Sequence, residues 1–142
     1  MTDLDDISVV SGPAEEMLNA RQLADYRDQR EACLTWLLER GKDPETYDVY
    51  AEATVECRGN RMDFFYRWVW LREERYVGAV THEHADAFVD YLAEKDTSNA
   101  DKSNHVKALQ MLFKWRHHEQ GLDEWEPAHR FSAPTRTTQP RD

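Results

Sequence analysis

Apolar residues recur every three to four positions in four separate stretches of this chain, and no stretch reads convincingly as a strand. That period belongs to helices rather than to the alternating pleat of a sheet, and it restricts the chain to an all-α fold, a bundle of four to five helices. The first helical stretch covers about residues 13–40, with a break expected near residue 22. Leu23, Tyr26, Arg30, Cys33, Leu34, Leu37 and Leu38 mark its inner side. Ser11 is placed to cap its start, Pro13 suits a first turn, and Glu15 and Glu16 suit the positive end of the helix dipole. Gly41 and Pro44 stop it, and 41–50 is a polar connection. A second helix over 52–74 buries Val55, Met62, Phe65, Tyr66 and Val69. Gly59 inside it weakens it by about 1 kcal/mol relative to Ala. Such a glycine marks the close approach of something large, a neighbouring helix or a DNA backbone. Thr81 caps a third helix, 82–95, with Ala85, Phe88, Val89 and Leu92 inward. Ser98 or Asn99 caps a fourth that runs to about 120 through Val106, Leu109, Leu112, Phe113 and Arg116, and Gly121 is a natural residue to end it.

The 142 residues suffice for one domain. Residues 1–22 read as an acidic arm with a short helix, 23–120 as the helical domain, and 121–142 as a Ser/Thr/Pro-rich linker with no core of its own. The chain has no apolar run of about 18 residues and no signal-peptide pattern, so the expectation is a cytoplasmic protein with no membrane partner. Cys33 and Cys57 are too few for a disulfide framework and lack metal-ligand spacing; Cys33 reads as a small core hydrophobe.

Net charge is −10, from 28 acids against 18 Lys and Arg, and Arg outnumbers Lys 13 to 5. Many carboxylates with few lysines point to a surface adapted to high salt. The acid is unevenly placed. Residues 1–56 carry −9 and residues 76–101 carry −5, whereas 57–75 carry +2 and 102–118 carry +4 with no acid at all. Two basic islands therefore stand in an acidic chain, one on the second helix and one on the fourth. On a helical wheel, Thr54, Arg58 and Arg61 fall within about 60° of one another, beside the buried stripe. Ser103, Lys107, Gln110 and Lys114 fall within about 60° on the fourth helix, opposite its apolar side. Lys102 and His105 lie nearer its core side, and Asn104 points elsewhere. Guanidinium, ammonium, hydroxyl and amide groups on one strip suit successive phosphates, and two such helices in one small bundle suggest a shared nucleic-acid face.

Enzyme signatures are missing: there is no glycine-rich phosphate loop, nucleophile elbow or zinc pattern. His82 and His84 point to different sides of a helix, as do His117 and His118, so a helix-terminal role suits them better than metal binding. The cluster Phe64, Phe65, Tyr66, Trp68 and Trp70 reads as core and interface.

Thr54-Val55 followed by Arg61-Met62-Asp63-Phe64-Phe65-Tyr66-Arg67-Trp68 resembles the second helix of the core-binding domain of tyrosine recombinases, the family of phage integrases and Xer-type enzymes. Asn104 to Trp115 resembles its fourth helix: a polar start, then Ala108-Leu109, then paired apolar or aromatic residues before a final aromatic. Phe65 to Trp70, Trp115 to Glu119 and Thr137 to Asp142 look closest to haloarchaeal members. His105 stands where many members carry Arg, and Arg58 where many carry an apolar or aromatic residue. The resemblance spans about 23–120, with 121–142 matching the interdomain linker. It implies a SAM-like helical domain that clamps one side of double-stranded DNA beside other recombinase protomers, while a C-terminal domain, expected to lie outside this chain, carries the catalytic residues. Carried over position by position, the DNA-facing residues are Thr54, Arg58 and Arg61 with Lys102, Ser103, Lys107, Gln110 and Lys114. The resemblance implies no catalytic residue, metal, cofactor or small-molecule substrate in this chain. A rival expectation is a helical protein–protein interaction module in which Trp68, Trp70, Trp115 and Trp125 form an exposed apolar patch.

Overall fold

A computed structural model describes residues 9–39, 50–129 and 131. Five helices follow one another: α1 (Gly12–Met17), α2 (Ala20–Glu39), α3 (Glu52–Glu73), α4 (His82–Glu94) and α5 (Asn99–Gln120). No strand occurs among the described residues. The expected ends at Gly41 and Pro44 lie outside them, as do residues 1–8 of the arm and the tail from residue 132 on.

Caps explain most of the boundaries. Ser11 Oγ accepts from the Ala14 N–H, and Pro13 sits in the first turn of α1. The break falls at Leu18 and Asn19, earlier than expected. Asn19 Oδ1 accepts from the Gln22 N–H at 2.8 Å while Gln22 Oε1 accepts from the Asn19 N–H at 3.0 Å. This reciprocal pair restarts the helix at Ala20. Thr81 and His84 form the same device for α4, with the imidazole Nδ1 in the place usually taken by a carboxylate or amide. Ser98 caps α5, and Gly121 ends it at φ +70°, its N–H reaching His117 O.

α3 and α5 form the central pair. Arg61 meets Asp101, and Arg58, one turn earlier, meets Asn104, one turn later. α2 packs against both, and α4 packs against α5 and, through Phe88 and Tyr91, against Phe64, Phe65 and Trp68 of α3. The core joins Tyr26, Tyr66 and Trp70, whose rings meet edge-on at 4.9–5.1 Å around Tyr26, to Phe65, Phe88, Leu109, Leu112 and Phe113. Gly59 is explained by the protein itself: a Cβ there would lie 3.0 Å from Leu34 Cδ2 and 3.4 Å from the Arg30 guanidinium. The close neighbour is therefore α2.

Three charged residues are buried within this core. Asp63, 3% exposed, accepts from the Tyr26 hydroxyl and, at 2.9 Å, from Arg67 Nε. Arg30 donates from Nε to the Val9 carbonyl at 2.8 Å, tying the chain before α1 to α2. Arg116, also 3% exposed, donates to Gln29 Oε1 on α2, the Tyr66 hydroxyl on α3 and the Gly78 carbonyl between α3 and α4. One guanidinium thus joins four parts of the fold. Cys33 is core as expected, and burial pushes its thiol up to about 12.

Tyr26→Phe should keep the ring packing but leave the Asp63 carboxylate one partner short in the interior. A loss of about 1.5–3 kcal/mol is expected in urea-induced unfolding at neutral pH.

Candidate nucleic-acid interface

α3 and α5 are packed neighbours, and the strip Thr54–Arg58 on one lies beside the strip Lys107–Lys114 on the other. Between them runs a groove of about 340 Å³ lined by Tyr50, Thr54, Arg58, Lys107, Gln110, Met111 and Lys114. Five of the eight residues singled out from sequence meet here. Three lining residues are cationic and none is acidic, in a chain of net charge −10.

Arg58 is half-buried, and its Nη1 donates to Asn104 Oδ1 at 3.2 Å, which holds the planar guanidinium against the wall. Lys107 is exposed on the opposite side. Thr54 supplies a hydroxyl and Gln110 an amide, both half-buried. Tyr50 closes the end beyond Thr54. Its partial burial raises the phenol's pKa, an effect the Arg58 charge opposes, and the group remains a protonated donor at neutral pH.

The other three candidates lie elsewhere. Arg61 continues the α3 strip one turn past Arg58, but its Nη2 lies 3.4 Å from Asp101 Oδ1 and its charge is partly neutralised. Ser103 is half-buried and does not line the groove. Lys102, expected on the DNA-facing side, is only 8% exposed. Its ammonium donates to the Ala93 carbonyl at 3.4 Å and lies 5.6 Å above the Phe131 ring, so it closes the negative end of α4.

Three residues at the groove escaped the sequence reading: Tyr50 and Met111, which line it, and Asn104, which braces Arg58. Tyr50 lies four residues before Thr54 and would have appeared had the strip been extended back past the helix start. Asn104 was set aside as pointing away, yet it stands three residues before Lys107, on the adjoining part of the same helix surface.

The exposed aromatic patch required by the rival reading is absent: Trp70, Trp115 and Trp125 are all buried, and Trp68 is half-buried against Phe88 and Tyr91. The histidine pairs do serve helix ends. His84 completes the α4 cap, and His117 Nδ1 meets the Leu122 carbonyl just past α5. Among the described residues no group of three or more His, Cys, Asp or Glu is placed to hold a metal, and no helix is long and apolar enough to cross a membrane. No family model, curated protein or solved structure matches the chain.

Beside the groove's Arg61 end, His105 is buried under Phe64 and Phe88. Burial lowers its pKa from 6.5 to about 4, with Asp101 pulling the other way. The unfolded chain binds this proton more readily than the fold does. Stability therefore rises with pH through this window, is complete above about 6.5, and is lost as pH falls toward 4. Unfolding free energies of wild type minus His105→Asn, measured across this range, should decline steadily as pH is lowered.

Proposed function

We propose that this chain binds double-stranded DNA as a core-binding domain of the tyrosine-recombinase type, with a SAM-like arrangement of α2 to α5. The observation that carries the reading is the acid-free groove between α3 and α5. Arg58, steadied by Asn104, offers a planar fork suited to a phosphate, and Lys107 and Lys114 offer point charges two turns apart on α5. That separation is about 10 Å along the helix, comparable to the axial length of about three phosphates of one strand. Thr54, Gln110 and Tyr50 add neutral donors. Contacts of this kind set position and register on the duplex and carry little sequence information. In this reading the domain holds DNA beside other protomers, and the strand chemistry belongs to residues outside this chain.

Arg58→Ala and Lys107→Ala should each weaken binding to duplexes of unrelated sequence by a similar factor. Each should also reduce the slope of log affinity against log salt by about one. Arg61→Ala should have a smaller effect, since Asp101 already holds that charge. Fluorescence anisotropy with a labelled mixed-sequence duplex over a range of KCl concentrations measures both quantities. Unchanged slopes in Arg58→Ala and Lys107→Ala would remove the groove as the site.

A further inference from the structure

The chain past α5 reads from sequence as a linker with no core of its own, yet its first residues dock on the bundle. Trp125 is 5% exposed, its ring packs 5.9 Å from Phe113, and its Nε1 donates to Asp86 Oδ1 on α4 at 3.0 Å. Two imidazoles hold the successive carbonyls of Leu122 and Asp123. His117 Nδ1 lies 2.6 Å from the Leu122 carbonyl, and His82 Nε2 lies 3.0 Å from the Asp123 carbonyl. A carbonyl can only accept, so each ring donates.

This docking sets two carboxylates at the end of the basic groove. Glu124, Trp125 and Glu126 share a hollow of about 150 Å³ with Gln110 and Lys114, the same two α5 residues that line the groove. The two cavities adjoin at Gln110 and Lys114, so the lining changes from cationic to acidic on passing Lys114.

We propose that the segment 122–126 is an intramolecular competitor for DNA: pinned by Trp125, it presents Glu124 and Glu126 to the part of the groove that phosphate would occupy, and the duplex reaches Lys114 only when the segment lifts away. This rests on the DNA-binding reading of the groove. A carboxylate and a phosphate oxygen seek the same ammonium, and two fixed carboxylates repel a strand approaching Lys114. The attachment is local. It consists of one indole with its bond to Asp86 and two imidazole–carbonyl bonds, so release would withdraw Trp125 from the core while leaving the core residues contributed by the five helices in contact with one another.

The test uses the 142-residue chain and a labelled mixed-sequence duplex over a range of KCl concentrations. Glu124→Gln/Glu126→Gln should tighten binding about three- to tenfold at low salt. It should also steepen the salt slope by about one, as Lys114 gains a phosphate. Glu31→Gln/Glu39→Gln on α2, which removes the same charge from a distant exposed surface, should give a smaller gain and no change in slope. Trp125→Ala keeps every charge and should tighten binding in the same direction. Adding it to Glu124→Gln/Glu126→Gln should bring little more, because both changes remove one contact. The competitor is overturned if Glu124→Gln/Glu126→Gln binds no more tightly than Glu31→Gln/Glu39→Gln, a comparison that holds even if Trp125→Ala fails to fold. Loss of binding in Arg58→Ala/Lys107→Ala alongside that result would leave the groove standing and remove the competitor alone. Wild-type binding by Arg58→Ala/Lys107→Ala would overturn the groove and the competitor together.

Discussion

α3 and α5 pack directly on each other, and this pairing sets which side chains can meet. Arg61 faces Asp101, Arg58 faces Asn104, and the next turns bring Thr54 and Tyr50 opposite Lys107, Gln110 and Lys114. The apolar residues beneath, Val55, Met62, Leu109 and Leu112, hold the helices close and so fix the width of the groove above.

At the other end of the pair, buried charge does the corresponding work. Burying a guanidinium is unfavourable unless its N–H groups find acceptors, and Arg116 finds them on α2, α3 and the chain between α3 and α4. These partners can be reached together only when the helices are in their present register. The same holds for Asp63 between Tyr26 and Arg67. Such groups add little net stability and penalise alternative packings, because any shift leaves a charge in the interior without a partner.

Much of this was legible in the sequence because it depends on neighbours along the chain. Ser11, Thr81, Ser98 and Gly121 act within one turn of themselves, and the apolar period names the inner side of each helix. Even Arg30 and Arg116 fell on the apolar stripes before their burial was visible. What was not legible depends on contacts between distant segments. A wheel gives an angle, not the identity of the facing helix, so it could not show that Asp101 neutralises Arg61 or that Asn104 braces Arg58. Lys102 lies where a short side chain would be unremarkable, but its four-carbon stem lets it fold back to Ala93. Trp125 sits in a polar, proline-containing stretch with no periodicity, and only the space between α4 and α5 explains its burial. The break before α2 was misplaced because Asn19 and Gln22 form a capping pair in a stretch otherwise suited to helix.

Concentrating cations in one groove of an acidic molecule makes the chain an electric dipole. A polyanion meeting any other surface is repelled, and one arriving at the groove is drawn in. The field turns the molecule before contact, so encounters are filtered by orientation rather than by shape alone. At high ionic strength that filter reaches only a few ångströms, about the Debye length there. In the proposed complex with DNA its selectivity would act in the last layer of water before contact, where the positions of individual carboxylates count for more than the net charge.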